Sequence, residues 1–284
     1  LVNIEISLTG ENGDKLVFDD STFILERGFR GLGIPTPVVR IDKGASDGGV
    51  FRFAKRDIRQ LDLPIVILGS VEENLRRLAK ILRGKVTLTA TFQTGEAFQL
   101  ECYFNGGADT EFGDNASDSF CRWVIELQAP QPYWTSTVPQ TFSVSAATEA
   151  RGLLSAPSGT TKTLSALRVK SSQALGSVPI ENLGDIASPI IWQINGPATS
   201  VTIDLAGIGF AYTSAIANGE TVIIDTEAGT VKDPSGVNMY GGLDLAPKFF
   251  SIPAGSSVVS IVADGADSNT KISGFFSPRR EVLH

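Results

Sequence analysis

The sequence predicts a mainly β protein of two domains, with one amphipathic helix in the first. Three observations carry this. Short runs of alternating apolar and polar residues recur from end to end, turn residues punctuate them, and only one stretch repeats at helical spacing. With 284 residues, 42% hydrophobic and 19% charged, the chain suits two domains with packed cores.

The first half opens on strands. Val2, Ile4, Ile6 and Leu8 alternate with polar partners, and Leu16 to Phe18 and Thr22 to Leu25 follow. Leu1 to Gly10 therefore does not read as a signal peptide. Gly28 to Pro35 is a turn-rich connection, Gly44 to Gly49 a glycine-rich loop, and Val50 to Phe53 a strand. Leu63 to Leu68 reads as a short buried strand, with Pro64 near its start where no ladder donor is lost. The helix comes next. Ser70 is a natural N-cap, Glu73 would complete a capping box, and Val71, Leu75, Leu78 and Leu82 form one apolar stripe. Glu72 and Glu73 at its start and Lys80 and Arg83 at its end complement the helix dipole, and Gly84 supplies the stop. Strands resume at Lys85 to Phe92, Ala97 to Phe104 and Phe120 to Leu127.

Composition changes after Pro130-Gln-Pro-Tyr-Trp134. Residues 1–138 hold 34 charged side chains and residues 139–284 hold 21, so the sequence boundary falls between a first domain, 1–138, and a second, 139–284. The second half has no helical stripe. Its strand candidates are Gln140 to Ser145, Leu164 to Lys170, Val178 to Asn182, Ile190 to Ile194, Ser200 to Leu205, Thr221 to Thr226, Lys248 to Ile252 and Ser257 to Ala263. Turns at Asn195-Gly196-Pro197, Asn218-Gly219, Asp233 to Gly236 and Asp264-Gly265 separate several of them, the pattern of an antiparallel β-sandwich.

The residues offer little chemistry. The only histidine is the last residue, His284, which removes Ser-His-Asp and Cys-His catalysis and histidine-dependent metal sites. Two cysteines, Cys102 and Cys121, are too few for a disulfide framework or a four-thiolate zinc site, and both read as buried thiols. A disulfide between them requires their strands to be neighbours in register. Gly28 to Gly33 lacks the lysine and glycine spacing of a phosphate loop. Asp109, Asp114 and Asp118 crowd one loop without the central glycine and terminal Glu of a helix-loop-helix calcium site. Trp192 alternates with Ile190 and Ile194 and is expected in a core, while Phe249-Phe250 and Phe275-Phe276 each leave one ring for a surface. No catalytic, cofactor-binding or metal-binding residue is assigned. Net charge is −7, and the densest basic stretch, Arg52, Lys55, Arg56 and Arg59, is read as a solvated face or a subunit interface. No apolar run reaches the roughly 18–20 residues of a membrane helix.

Several motifs, in order, carry a resemblance. They are Gly31-Leu-Gly-Ile-Pro35, Asp62-Leu63-Pro64 leading into Leu75-Arg-Arg-Leu78, and Leu127-Gln-Ala-Pro-Gln-Pro-Tyr-Trp134. Asn182-Leu-Gly184, Pro189-Ile-Ile-Trp192, Asn195-Gly-Pro197, Gly219 to Asp225, Val237-Asn-Met-Tyr240 and Ser277-Pro-Arg-Arg280 follow. Across nearly its whole length the chain resembles the distal tail proteins of long-tailed, siphovirus-type bacteriophages, particularly those of actinobacterial phages. The resemblance implies an N-terminal β-barrel or sandwich-like domain with one packed helix, forming a homo-hexameric ring that continues the tail tube. It implies a C-terminal galectin-like β-sandwich, and a non-catalytic role joining the tail tube to the baseplate hub. The partners implied are copies of itself, the major tail tube protein, hub and other baseplate proteins and the tape measure protein. A host-surface glycan is a further candidate partner, and no membrane is involved. The location implied is the virion tail tip, assembled in the bacterial cytoplasm. The competing readings are a carbohydrate-binding or adhesion protein using the second domain, and a β-sandwich glycosidase, whose carboxylates come together only in space.

Overall fold

The computed structural model describes residues 4–18, 21–44, 47–107, 117–145 and 173–283. The chain forms two compact units, Leu1–Val138 with Arg279–His284, and Pro139–Pro278.

In chain order the first unit contains β1 (Ile4–Gly10), β2 (Lys15–Val17), β3 (Phe23–Leu25), β4 (Pro37–Lys43), β5 (Gly49–Arg56) and β6 (Arg59–Leu68). Helix α1 (Val71–Ile81), β7 (Lys85–Phe92), β8 (Ala97–Gly106), β9 (Phe120–Ala129) and β10 (Trp134–Ser136) follow. The second unit contains β11 (Gln140–Ser145), β12 (Gln173–Asn182), β13 (Ser188–Pro189), β14 (Ile191–Asn195), β15 (Ser200–Leu205) and β16 (Ile208–Tyr212). It continues through β17 (Thr221–Asp225), β18 (Thr230–Lys232), a 3-10 turn at Tyr240–Gly242, β19 (Ser251–Ile252), β20 (Gly255–Asp264) and β21 (Lys271–Phe276). The chain then returns to the first unit as β22 (Arg279–Arg280).

The main sheet of the first unit runs β2-β1-β7-β8-β9-β6-β3, and β10 joins β8 to β22. Its two edges, β2 and β3, are joined by residues 18–22. Six Cα steps span at most about 22 Å, whereas the outer strands of a flat seven-stranded sheet lie about 29 Å apart. The sheet must curl, and it forms a nearly closed barrel. Alternation decides what fills it. Leu61, Leu63, Ile65 and Ile67 of β6, Val86, Leu88 and Ala90 of β7 and Ile125 and Leu127 of β9 are all buried in one cluster.

Pro64 is the sixth residue of a ten-residue strand, not near its start. It is tolerated because its carbonyl accepts the Glu26 N–H at 2.8 Å, on the side where short β3 has just ended. The missing N–H therefore faces the edge, and pairing with β9 is untouched.

Helix α1 runs as the stripe predicts and ends before Gly84, whose φ of +85° is left-handed. Val71, Leu78, Ile81 and Leu82 are buried and Leu75 is half-buried, so the covered face is turned slightly from the expected one. The helix packs against β1, β2 and β6. The capping box does not form. The Ser70 side chain makes no capping hydrogen bond, and its carbonyl accepts from Asn74 N at 3.0 Å. Ser70 is exposed, and at such a helix start water serves the free N–H groups.

The second unit has a five-stranded sheet, β11-β21-β14-β17-β18, and a four-stranded sheet, β12-β20-β15-β16. Trp192, Ile224 and Ile272 from the first share a buried cluster with Ile203, Phe210 and Ile261 from the second, so the sheets form a sandwich. Phe142 and Phe250 meet Trp192 edge-on at 5.5 and 6.2 Å. Strands β16, β18 and β21 escape the sequence reading. In β21 the cause is Gly274, which reads as a break yet sits where a Cβ would meet the Phe142 ring at 2.3 Å. The candidate at Lys248 to Ile252 shortens to Ser251–Ile252, and that at Leu164 to Lys170 lies outside the described residues.

The last six residues, expected in the second domain, belong to the first unit. Trp134 pairs with Arg280 and Thr135 with Arg279, and Leu283 is buried in the barrel cluster.

Candidate assembly surface

Asp109, Asp114 and His284 lie outside the described residues, and Asp118 is exposed. Among the described residues no three His, Cys, Asp or Glu side chains are grouped to hold a metal. Cys102 and Cys121 are both buried, and neither is in a disulfide. Their strands are neighbours, but Phe104 pairs with Leu127, which puts the thiols about eight residues, roughly 25 Å, out of register. Burial pushes the Cys102 thiol up to about 12, which disfavours the thiolate that a nucleophile or metal ligand requires.

In the second unit Tyr212, Glu220 and Asp233 line a cavity of about 210 Å³. The Asp233 carboxylate accepts the Ser235 hydroxyl and the N–H groups of Ser235 and Val237, and these bonds hold its pKa below the usual range. Glu220 accepts the Ala217 N–H at 2.9 Å. Both carboxylates serve their own turns. Of the rings considered for a sugar platform, Trp192, Phe250 and Phe276 are buried and Phe249 packs on Phe210 at 5.4 Å. Phe275 is half-buried.

The surface that stands out is the β4–β5 hairpin. Among the described residues neither strand pairs with a third. Register puts Val39 beside Ala54 and Ile41 beside Phe51 on one face, and Val38 beside Lys55, Arg40 beside Phe53 and Asp42 beside Val50 on the other. A bulge between Arg40 and Ile41 accommodates Arg52, whose Nε donates to Asp42 at 2.6 Å. The first face is apolar and open, with Val39 52%, Ile41 56% and Phe51 61% exposed. A lone two-stranded hairpin is marginal in water, and such side chains ordinarily seek cover.

Strand β4 was missed in the sequence, although Val39 and Ile41 alternate with polar residues and Gly48-Gly49 precede β5. That pairing of two β-rich runs across a glycine loop was the available signal.

The basic stretch read as one face is divided three ways. Arg52 and Lys55 are exposed on the hairpin, while Arg56 is half-buried and pairs with Glu281 at 2.5 Å. Arg59, 2% exposed, departs from the surface reading altogether. Its guanidinium donates to the carbonyls of Gly31, Gly33, Pro132 and Glu281 at 2.5–2.6 Å and lies 5.9 Å from the Trp134 ring. Gly31 permits this approach. Its φ is +101°, and a Cβ there would meet the Gln60 carbonyl at 2.5 Å. Three separated motifs, around Gly31, Pro132 and Arg280, thus converge on one cation.

A second apolar feature, a groove of about 470 Å³, lies between Leu75, Leu78 and Ala79 of α1, Leu82 just past its end, and Phe104 and Trp123 of the sheet. No helix in the described residues is long and apolar enough to cross a membrane.

Comparison with known proteins gives no matching family model and no matching curated relative. Solved structures do match. The SPP1 Dit protein, described as a paradigm of the hub adsorption apparatus in phages infecting Gram-positive bacteria, aligns at 12% identity and TM-score 0.68, over 96% of this chain and 98% of that one. Chains of the phage P2 baseplate in its activated conformation align at 11% identity and TM-score 0.54 with calcium, and at 10% and 0.52 with strontium. Each covers 99% of this chain and 100% of its own. At these identities the likeness establishes a shared fold, and it extends through both units.

Proposed function

We propose that this chain is a structural component of a bacteriophage tail tip, a hexameric distal tail protein that joins the tail tube to the baseplate hub. One observation carries the reading: the fold is similar to the Dit protein over nearly the full length of both chains, in two units and not in one shared module. The motif order across the sequence points the same way, and so does the uncovered apolar hairpin, a feature suited to a protein that is complete only in an assembly.

In this reading the barrel unit associates head to tail with its own copies, and a heterologous contact that closes yields a ring. The galectin-like sandwich is the second unit. The neighbours are the major tail tube protein above and the hub below, with the tape measure protein inside. The protein is made in the host cytoplasm and resides in the virion tail tip.

Electron microscopy of the isolated protein and of tail tips tests this. Six-fold rings carrying this chain at the tube–hub junction are expected. A chain that is monomeric both in solution and in its particle would sink the proposal.

A further inference from the structure

We infer that the β4–β5 hairpin is an arm that docks on the acidic barrel unit of a second copy, through an apolar contact centred on Phe51 and steered by the arm's cations. The inference deepens the ring reading and rests on it.

Charge separation within one unit supplies the argument. Residues 37–56 hold five basic residues, Arg40, Lys43, Arg52, Lys55 and Arg56, against two acidic ones, Asp42 and Asp47. The rest of residues 1–138 holds ten basic against seventeen acidic. The arm is net cationic and the body that carries it net anionic. A cationic arm is repelled by the arm of another copy and attracted to its body. That asymmetry selects an arm-to-body contact over an arm-to-arm one, and arm-to-body is the heterologous geometry that can close into a ring.

Apolar exposure points to the same contact. Val39, Ile41 and Phe51 share a face, and each is more than half exposed. Burial of that face would hold the complex, while the charges set its orientation and rate of encounter. Among the described residues only Arg56 of the five cations pairs with a distant partner on the chain, Glu281; Arg40 and Arg52 both lean on Asp42 within the hairpin. Lys43 and Lys55 sit at opposite ends of the hairpin's length. Attraction between an exposed arm and body is screened by salt, so the association is expected to weaken as ionic strength rises past about 0.15 M.

The test uses the full chain and two variants, Phe51→Ser and the double change Lys43→Glu with Lys55→Glu. Sedimentation velocity at low and high salt measures association, and thermal melts establish that each variant folds. Both variants are expected to associate at least tenfold more weakly than the wild type at low salt, with melts unchanged. As a second measurement, a photo-crosslinker at position 51 is expected to label residues 1–36 or 57–138 of another copy. An assembled wild type whose association neither variant weakens, or crosslinks from position 51 to the hairpin of another copy, would overturn the arm contact and leave the ring reading intact. A wild type that stays monomeric in solution and in the particle defeats the ring reading itself.

Discussion

A guanidinium that finds carbonyls in place of a carboxylate acts as a junction, because each N–H can hold a different segment. Arg59 does this for Gly31, Gly33, Pro132 and Glu281. Arg59→Met is expected to destabilise the first unit by about 2–4 kcal/mol, by leaving buried carbonyls without donors. Arg59→Lys keeps the charge but offers one compact ammonium for a planar fork, so it should recover only part of the loss in urea titrations. Burial lowers the Arg59 pKa to about 10, partly opposed by Glu281. The folded value lies below the unfolded one, so the burial cost is constant through neutral pH and lifts only above about 10. Cys102 has the opposite sign. Its thiol is raised to about 12, so as pH climbs past the ordinary thiol value of about 8.5 the unfolded chain loses its proton first and stability falls. Cys102→Ala should start less stable yet show a shallower alkaline decline in melts between pH 8 and about 10. The wild-type thiol should meet Ellman's reagent only on unfolding.

Helix α1 and the hairpin are elements of opposite kinds, one defined by what it buries and the other by what it leaves open. Leu78 is 1% exposed at the contact with the barrel, so Leu78→Ala should cost about 2–5 kcal/mol through lost burial and a residual cavity. Leu75→Ala should cost less, since that side chain is half-buried beside the groove. Ser70→Ala should stay within about 0.5 kcal/mol, because no capping hydrogen bond is lost. Thermal melts of the three variants rank these effects; a Ser70 loss as large as that of Leu78 would restore the capping box. The helix was legible because its stripe, its acidic start and its glycine stop all lie within fifteen residues, 70–84. The cap was not, since a Ser side chain at a helix start chooses between backbone and water according to local geometry.

For the whole molecule, the return of residues 279–283 to the first unit makes the sandwich an insertion between β10 and β22. A fragment of residues 139–278 is therefore expected to melt cooperatively with a β-type spectrum. Truncation after Pro278 should destabilise the first unit, by removing the Glu281 partner of Arg56 and Arg59 and the buried Leu283, and spare the second. Differential scanning calorimetry that instead finds both transitions unchanged would show the tail to be dispensable.

By itself the sequence determined the β class, the single helix, the change of character after Trp134 and the poverty of catalytic groups. Those depend on neighbouring residues or on residue types, because alternation decides which face of a strand is apolar and a lone histidine is countable. Only the tertiary structure decided that Cys102 and Cys121 lie out of register, that Pro64 faces an ending edge strand, that Arg59 is a buried junction and that the hairpin stands uncovered. The Arg59 partners lie 26, 28, 73 and 222 residues away along the chain. No local pattern specifies such meetings, since they arise when the barrel curls and its separate segments close on one another.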